Sequence, residues 1–409
     1  MKKNTFLVQC FTVFMFFFLP AFFLSAKDFG LFLDQTASFE GIGSPGSDTT
    51  EFKYFGTAVP WFSTPIGSAG ELYISAGVTP KYEYKKWEIV PELLRTELSI
   101  GVGENGTIYI GRMNYADPMG FVAKGLFDGA RYEIEFSGGS TLGIGAWYTG
   151  FLYKKNAYIT MTMDDLYRYD AELDYSDFFD TYFAPRRLVA AVDWEYPDLA
   201  EIIRLKLALI GQFELSGNDE LYHSQYLIAK AGIPVKQFVF ELGAAVELAE
   251  AAKEYQVSFA GELGVSWMLP TSIQDRLMFL GRFSSGTINK SITAFVPINT
   301  ESQGYVLRAK LSGLSVLRLD YTARLHQTFS LCLSDSYFIL SDLVTHQGYL
   351  GEKKGYFLGN EFYGFIVWSP VSDLQIRAGG GVFLPSLGNA VKDGDALWRV
   401  DLNVVLAVF

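Results

Sequence analysis

The side chains that most often carry enzyme chemistry are few in this sequence and are widely separated. It contains three histidines and two cysteines, namely His223, His326, His346, Cys10 and Cys332. A catalytic serine needs a histidine base held by an orienting polar group, and no histidine here has such a neighbourhood. Their separation also gives no zinc-binding spacing. We therefore predict no enzyme activity, no catalytic residue, no cofactor and no metal site.

Carboxylates are concentrated in one acidic stretch, which runs from Asp164 to Asp180. Carboxylate oxygens bind Ca²⁺, but this stretch lacks the Asp-x-Asp-x-Asp-Gly spacing of an EF-hand loop. We expect a solvated surface loop within 154–182, with an inward-folded constriction or a Ca²⁺ site as the alternatives. The loop predicted at 113–129 contains Met, Phe and Gly residues and is an equal candidate for folding inward.

Charged side chains recur at alternate positions of otherwise apolar segments, and this spacing says more about the fold than the histidines, cysteines or acidic stretch do. Between Ile203 and Leu215 the odd positions are apolar or glycine, whereas the intervening positions include Arg204 and Lys206. The segments 255–269 and 317–325 repeat the pattern. Side chains on a β-strand point to opposite faces in turn, so each segment has one apolar and one polar face.

The lengths and connections of these segments favour a barrel that crosses a membrane over a soluble β-sandwich. Strands of ten or more residues exceed the about five or six residues usual in soluble sheets, and aromatic residues gather near their ends. After residue 26 no uncharged apolar run reaches the ~18 residues of a spanning helix. Tight and long connections alternate, with long ones predicted at 41–50, 80–85, 113–129, 154–182, 216–223, 249–254, 286–301, 332–354 and 385–395. The prediction is an all-β fold, a transmembrane antiparallel up-and-down β-barrel of about 18 strands, with 16 as the alternative.

If the apolar positions face lipid, the polar positions line the interior of this barrel. The predicted pore-lining side chains are Arg95, Glu97, Arg131, Arg204, Lys206, Glu241, Glu262, Arg308, Lys310, Arg318, Asp320, Arg324, Arg377 and Arg399. Strands near 187–206 and 308–324 are basic and those near 241–262 are acidic, which predicts walls of opposite charge acting on polar or charged solutes. The alternative is that these charges pair across strands and stiffen or close the interior.

The N-terminal segment predicts where the protein resides, and the net charge of the chain limits its partners. Lys2 and Lys3 precede an apolar run, and Leu24-Ser25-Ala26 is a small-residue cleavage pattern, so 1–26 is predicted to be a signal peptide and 27–409 one outer-membrane barrel domain. The protein would then cross the inner membrane, lose its signal peptide and reside in the outer membrane of a diderm bacterium. The formal net charge of -12 argues against nucleic acid as a partner.

Short motifs resemble known bacterial barrels. The last strand, Trp398 to Phe409, is similar to the terminal strands through which the barrel-assembly machinery recognises its clients, although Phe409 shares parity with the polar positions. Ile110-Gly111-Arg112 with Asp128-Gly129, and the hairpin around Gly359-Asn360-Glu361, resemble segments of the porin and alginate-export-like barrels. These two segments cover about a fifth of the chain. The resemblance implies an 18-stranded barrel that passes small solutes, and it assigns no functional residue.

The expected function is a porin-like channel for diffusion of small hydrophilic or charged solutes through a charged lumen, embedded in the lipid bilayer of the outer membrane. The alternative is a surface-exposed structural or adhesion barrel that acts through its extracellular loops. A long-chain lipid transporter would need an apolar interior, whereas the predicted inward positions are charged.

Overall fold

The computed structural model describes residues 28–47, 49–217, 221–251, 253–299, 301–345, 355–391 and 394–409. The predicted signal peptide at 1–26 lies outside the described residues. The strands are β1 (Asp28–Ile42), β2 (Glu51–Ile66), β3 (Gly70–Glu83), β4 (Lys86–Val102), β5 (Gly106–Ala116), β6 (Lys124–Glu135), β7 (Thr141–Tyr148), β8 (Arg187–Leu199), β9 (Ile203–Glu214), β10 (Tyr222–Val235), β11 (Phe238–Ala251), β12 (Glu254–Met268), β13 (Arg276–Ser284), β14 (Leu314–His326), β15 (Phe329–Leu340), β16 (Phe357–Val371), β17 (Leu374–Leu384) and β18 (Leu397–Val408). Three helices lie between β7 and β8: α1 (Lys154–Ala157), α2 (Met163–Asp170) and α3 (Phe178–Tyr182).

The strands form one closed sheet. Each strand pairs antiparallel with its neighbours in sequence, and β1 pairs with β18 over Leu31–Ile42, which closes the barrel. The prediction of an antiparallel barrel with 18 strands is confirmed. Within the described residues no helix is long and apolar enough to cross a membrane.

The alternating pattern sorts side chains between the two surfaces of the barrel. Leu209, Leu227 and Leu242 point outward and are 57%, 61% and 63% exposed, whereas Ile210 and Tyr226 point inward and are fully buried. A continuous outer belt of exposed Leu, Ile, Val and Phe is far more apolar surface than a soluble protein shows. It is the lipid-facing surface expected of an outer-membrane barrel.

The largest disagreement with the sequence prediction lies between β13 and β15. Residues 285–313 form one long loop, so the predicted strand that carried Arg308 and Lys310 is wrong. The predicted long connection at 332–354 is also partly wrong, because 332–340 belongs to β15 and the tight turn follows β14 instead. Phe295, Ile298 and Leu311 of the loop 285–313 are buried inside the barrel (Leu311 is 1% exposed), and their alternation with polar residues resembles a strand pattern. The connections at 80–85 and 249–254, predicted to be long, are tight hairpins.

The wall is interrupted between β4 and β5, and the loop 149–186 covers this gap. The segment Lys86–Arg95 of β4 pairs with β3 but not with β5. Pro91 lies on this free edge and has no N–H, so its backbone nitrogen needs no hydrogen-bond acceptor. The hydroxyl of Tyr182 donates to the carbonyl of Pro91 at 2.7 Å. Arg112 on β5 donates to the carbonyl of Leu93 and forms a bidentate ion pair with Asp128 at 2.7 and 2.8 Å. The Gly-Arg and Asp-Gly motifs found in the sequence therefore close this edge of the wall.

Candidate functional site: a charged wall beside three inner loops

Three loops fold into the lumen, and we call them the inner loops. They are 117–123 between β5 and β6, 149–186 between β7 and β8, and 285–313 between β13 and β14. The amide of Ile298 donates to the carbonyl of Val122 at 2.8 Å, and Lys310 Nζ donates to Thr160 Oγ1 at 2.9 Å. These contacts join all three loops into one body. Both loops that the sequence marked as candidates for folding inward therefore do so.

A buried carboxylate on the wall holds the longest inner loop. Glu361 on β16 accepts hydrogen bonds from three successive amides, those of Tyr305, Val306 and Leu307, at 2.7, 2.9 and 2.8 Å. Its side chain is 1% exposed. Hydrogen bonds to an ionised acceptor are stronger than neutral ones and fix the direction of the donor. The position of the loop is therefore set by the strand it rests on.

Glu247 on β11 performs the same task at a second place on the barrel wall. Its carboxylate accepts a hydrogen bond from the amide of Val296 at 2.9 Å and from the hydroxyl of Tyr222 at 2.7 Å. The hydroxyl of Tyr226 donates to the carbonyl of Val296 at 2.6 Å and so holds the same residue. The loop 285–313 is thus anchored at two places, on β10–β11 and on β16, and it spans the lumen between them.

Asp117 shapes the shortest inner loop from within. Its carboxylate accepts the amides of Met119, Gly120, Val122 and Ala123 at 2.8 to 3.0 Å. Burial raises the pKa of Asp117, and the hydrogen bonds from these four amides lower it in part. Asp-Pro-Met-Gly at 117–120 is a turn signature, because an aspartate side chain bonds to amides that follow it. That signal was available in the sequence, which otherwise gave no sign of the role of Asp117.

The inward faces of β8–β12 are covered by these loops, and we call them the packed wall. Phe295 and Ile298 are fully buried against small or branched inward residues, which are Val189, Ala191, Ala208, Ile210, Ile228, Ala245 and Ala260. The sequence prediction placed charges on the inward positions, and for this wall it was incomplete. The inward positions midway along these strands are apolar because a protein loop, and not water, lies against them.

Charges on the packed wall are neutralised in pairs. Arg187 is fully buried, with Asp165 of α2 at 2.6 Å and Glu214 at 3.7 Å. Glu262 lies between Lys230 at 3.1 Å and Arg282 at 2.7 Å. The expectation of a solvated surface loop is therefore wrong for Asp165. In the described part of the chain no cluster of three or more potential ligands is arranged to hold a metal ion.

The inward faces of β14–β18 and β1–β4 carry charged and aromatic side chains, and we call them the charged wall. Arg377 lies 4.0 Å from the ring centre of Phe365, and Arg318 lies 5.6 Å from that of Tyr305. Arg95 pairs with Glu97 at 2.8 Å, yet its side chain remains 43% exposed. Cations held over aromatic faces or beside one carboxylate keep free N–H groups for other anions.

The loop 285–313 approaches the charged wall at Arg308. Its guanidinium donates to Glu40 on β1 at 2.8 Å, and Lys53 on β2 contacts the same carboxylate at 2.7 Å. Lys53 also pairs with Glu83 at 3.0 Å. Arg308 remains 39% exposed in its side chain. Nearby, burial lowers the pKa of Lys310. This contact narrows the lumen between the loop and β1–β3.

The fourteen predicted pore-lining residues fall into four groups. Arg308 and Lys310 belong to an inner loop and reach the lumen from it. Arg131, Glu262, Lys206 and Glu241 are committed to wall ion pairs, with Asp193 at 2.6 Å from Arg131. Arg204 is an exposed residue near the tight turn after β8, and Arg324 lies at the end of β14 and donates to the carbonyl of Gln327. The remaining six lie on inward-facing positions of the charged wall, namely Arg95, Glu97, Arg318, Asp320, Arg377 and Arg399.

Sequence reasoning missed several residues that shape this site. Glu40 and Tyr305 contact predicted residues and Lys53 contacts Glu40, but all three come from segments whose alternation is weak or absent. Tyr363 stacks on Tyr305 with ring centres 4.4 Å apart, and its hydroxyl donates to Asp401. Only the return of the loop to the wall brings these residues together.

Comparison of the whole fold finds similar solved structures. Pseudomonas aeruginosa OccK5 (OpdH) superimposes with a TM-score of 0.63 at 9% identity, covering 94% of this chain and 99% of that one. OccK2 (OpdF) of the same organism, solved in complex with glucuronate, gives 0.62 at 12% identity, covering 94% and 98%. The outer membrane protein OprD gives 0.56 at 12% identity, covering 94% of both chains. The sequence matches no protein-family profile and no curated protein. At these identities the likeness establishes a shared 18-stranded barrel fold.

Proposed function

We propose that this protein is an outer-membrane channel through which small hydrophilic or charged solutes diffuse along the charged wall. The observation that carries the proposal is the asymmetry of the lumen. The inner loops seal one side of it, while inward-facing cations such as Arg95 and Arg308 stay accessible on the other. A barrel of this width leaves an aqueous channel unless it is completely filled.

The similar structures support solutes that carry a carboxylate. The OccK2 structure contains glucuronate and an OpdK structure contains vanillate. The charged wall of this chain presents guanidinium groups to the lumen, and guanidinium binds carboxylates well. Because Arg95, Arg308 and Arg399 each already face a carboxylate, added anions would be held weakly and released readily, as conduction requires.

The predicted pore-lining residues are expected to differ in how strongly they affect ion selectivity. We expect Arg95, Arg308, Arg318, Arg377 and Arg399 to set ion selectivity, because they lie on the charged wall or, in the case of Arg308, reach it from the loop 285–313. Arg131, Glu262 and Lys206 would contribute less, since wall partners already neutralise them. Cleavage of residues 1–26, location in the outer membrane and assembly through the strand ending at Phe409 belong to the same proposal.

The adhesion alternative is not favoured by any contact of the described residues. It requires long loops that extend outward, whereas the loop 285–313 and part of the loop 149–186 fold into the barrel and bind its wall. No second function is therefore proposed.

The test is single-channel conductance of the refolded mature protein in a planar lipid bilayer. Discrete, reproducible conductance steps are expected, with a reversal potential in a salt gradient that reports a preference for anions. A barrel that is heat-modifiable and correctly folded but silent would contradict the proposal.

Matched variants locate the pathway. Arg377→Gln removes a cation from the charged wall and is expected to shift the reversal potential toward cations. Arg324→Gln removes the same charge near the tight turn after β14, outside the narrow part of the lumen, and should shift it much less. Equal shifts from both variants would exclude a pathway along the charged wall.

A further inference from the structure

The outer surface of β7 and β8 changes from apolar to positively charged at the end of the barrel that bears the long loops. Along β8 the outward residues Val192 and Leu188 are 42% and 39% exposed and apolar, and the next outward residue above them is Arg186. Arg186 is exposed, and among the described residues its guanidinium has no ion-pair or hydrogen-bond partner. An unpaired cation directly above an apolar belt lies where lipid headgroups begin.

Arg186 borders a pocket of about 260 Å³ on this outer surface. The pocket is lined by Tyr148, Phe151, Arg168, Phe179 and Phe183, together with two small residues. No acidic side chain lines this pocket, whereas a second pocket of about 580 Å³ that the same two arginines border carries Asp164, Asp165, Asp180 and Glu214. Arg168, from α2, donates one hydrogen bond to the carbonyl of Asp180 at 3.3 Å, and its other N–H groups remain available. Phe151 and Phe179 are 60% and 77% exposed, so aromatic surface adjoins the two cations.

A shallow groove of about 670 Å³ lies below the pocket on the lipid-facing surface. Its floor is a row of small residues in direct register across β6–β9, namely Ala130, Ala146, Ala190 and Gly211. Larger outward residues such as Ile144 and Leu209 border it. Small side chains between larger ones leave room for one hydrocarbon chain against the wall.

We propose that this surface binds a phosphorylated lipid of the outer leaflet, with its phosphate between Arg168 and Arg186 and an acyl chain in the groove below. The two guanidinium groups supply charge-assisted hydrogen bonds to phosphate oxygens. The aromatic residues pack at the level of the headgroup, where amphipathic rings are favoured. The proposal rests on the proposed outer-membrane location, but it does not depend on conduction, because the site lies outside the lumen.

The experiment is native mass spectrometry of the refolded mature protein titrated with bis-phosphorylated lipid A. One lipid per barrel is expected to bind before any others. The double variant Arg168→Gln/Arg186→Gln should lose about tenfold or more in affinity, equivalent to about 1.4 kcal/mol. Lys253→Gln, in the β11–β12 hairpin at the same end of the barrel, removes a surface cation away from the pocket and should bind as the unmodified protein does. Equal affinity for all three proteins would overturn the proposal.

Two further measurements separate the possible outcomes. Ala190→Phe fills the groove without touching the arginines and should weaken lipid A while leaving any binding of inorganic phosphate unchanged. If inorganic phosphate at millimolar concentration displaces lipid A completely and Ala190→Phe has no effect, the site binds free phosphate and the lipid proposal fails. Conductance of the double variant is expected to equal that of the unmodified protein, so a silent channel that still binds lipid would count against the proposed function alone.

Discussion

On the packed wall many inward side chains midway along the strands are small or apolar and buried, whereas the charged wall carries arginines, carboxylates and aromatic rings, some of them accessible. Both walls follow the same two-residue alternation, and both face the same lumen. The difference is what lies against them. Phe295 and Ile298 of an inner loop cover β8–β12, while Arg95 on the charged wall keeps 43% of its side chain exposed. An inward position is therefore polar or apolar according to the loop that reaches it.

The largest expected effect comes from placing a charge on the packed wall. Ile210→Asp would bury a carboxylate without a partner against the inner loops, which costs several kcal/mol. We expect a lower thermal unfolding temperature and a conductance raised by detachment of the loops. Unfolding followed by heat-modifiable gel migration and circular dichroism measures the first, and bilayer recording the second. Ile210→Val, as control, should cost only about 1 kcal/mol. Unchanged stability of Ile210→Asp would mean that water already reaches this wall.

Removing the carboxylate of Glu361 would release the loop 285–313 from β16 and so change how much of the charged wall the loop covers. Glu361→Ala leaves the amides of Tyr305, Val306 and Leu307 without their acceptor, and we expect a loss of about 2 to 4 kcal/mol in loop anchoring. Single-channel records should show larger and noisier conductance. Glu361→Gln keeps an acceptor oxygen and should retain part of the anchoring. If Glu361→Ala conducts exactly as the unmodified channel does, the loop is held by packing alone.

A smaller effect is expected where the loop meets the charged wall. Arg308→Ala breaks the contact with Glu40, which is partly exposed to solvent and so contributes only about 1 kcal/mol or less. The stability should hardly change, but the conductance should rise by less than twofold and the preference for anions should fall. Arg204→Ala, near a tight turn, is the control. A selectivity change in the control as large as that of Arg308→Ala would show that Arg308 does not border the narrowest part.

The smallest effect concerns Lys154 in α1, where the loop 149–186 rests near the charged wall. Its Nζ donates to the carbonyl of Ala171 at 2.7 Å, and burial, followed by Lys155 and Arg168, lowers its pKa to about 8. A lysine whose pKa is lower in the folded than in the unfolded state favours its neutral form on folding, so the loop should become more stable as pH rises from 8 toward 10.5. The gain is on the order of 1 kcal/mol after screening.

Limited proteolysis of the loop at pH 7.0 and 9.5, corrected for protease activity, measures this change (both values are chosen to lie on either side of about 8). Lys154→Met should abolish the pH dependence. Lys85→Met in the exposed β3–β4 hairpin should preserve it. Persistence of the pH dependence in Lys154→Met would assign it to another group.

Much of the barrel was predictable from local patterns. The alternation between Ile203 and Leu215 fixed which side chains of β9 face lipid, and the structure confirms it. The pair Gly111-Arg112 and Asp128-Gly129 was recognisable as a motif, but its role in closing the free edge of β4 was not. The strand predicted around Arg308 and Lys310 failed because loop residues buried inside a barrel alternate in polarity as strand residues do.

The sequence by itself determined the antiparallel barrel and the two faces of most of its strands, because strand periodicity is a property of neighbouring residues. The predicted count of 18 strands agrees with the structure although the strand at Arg308 and Lys310 was wrong and part of β15 was predicted to be a loop. Only the tertiary structure decided which inward positions are open. The contacts that decide it join distant residues: Lys310 and Thr160 are 150 positions apart, and Arg308 and Glu40 are 268 positions apart. Burial of a loop against a wall depends on the closed shape of the whole sheet, and no local pattern of residues contains that information.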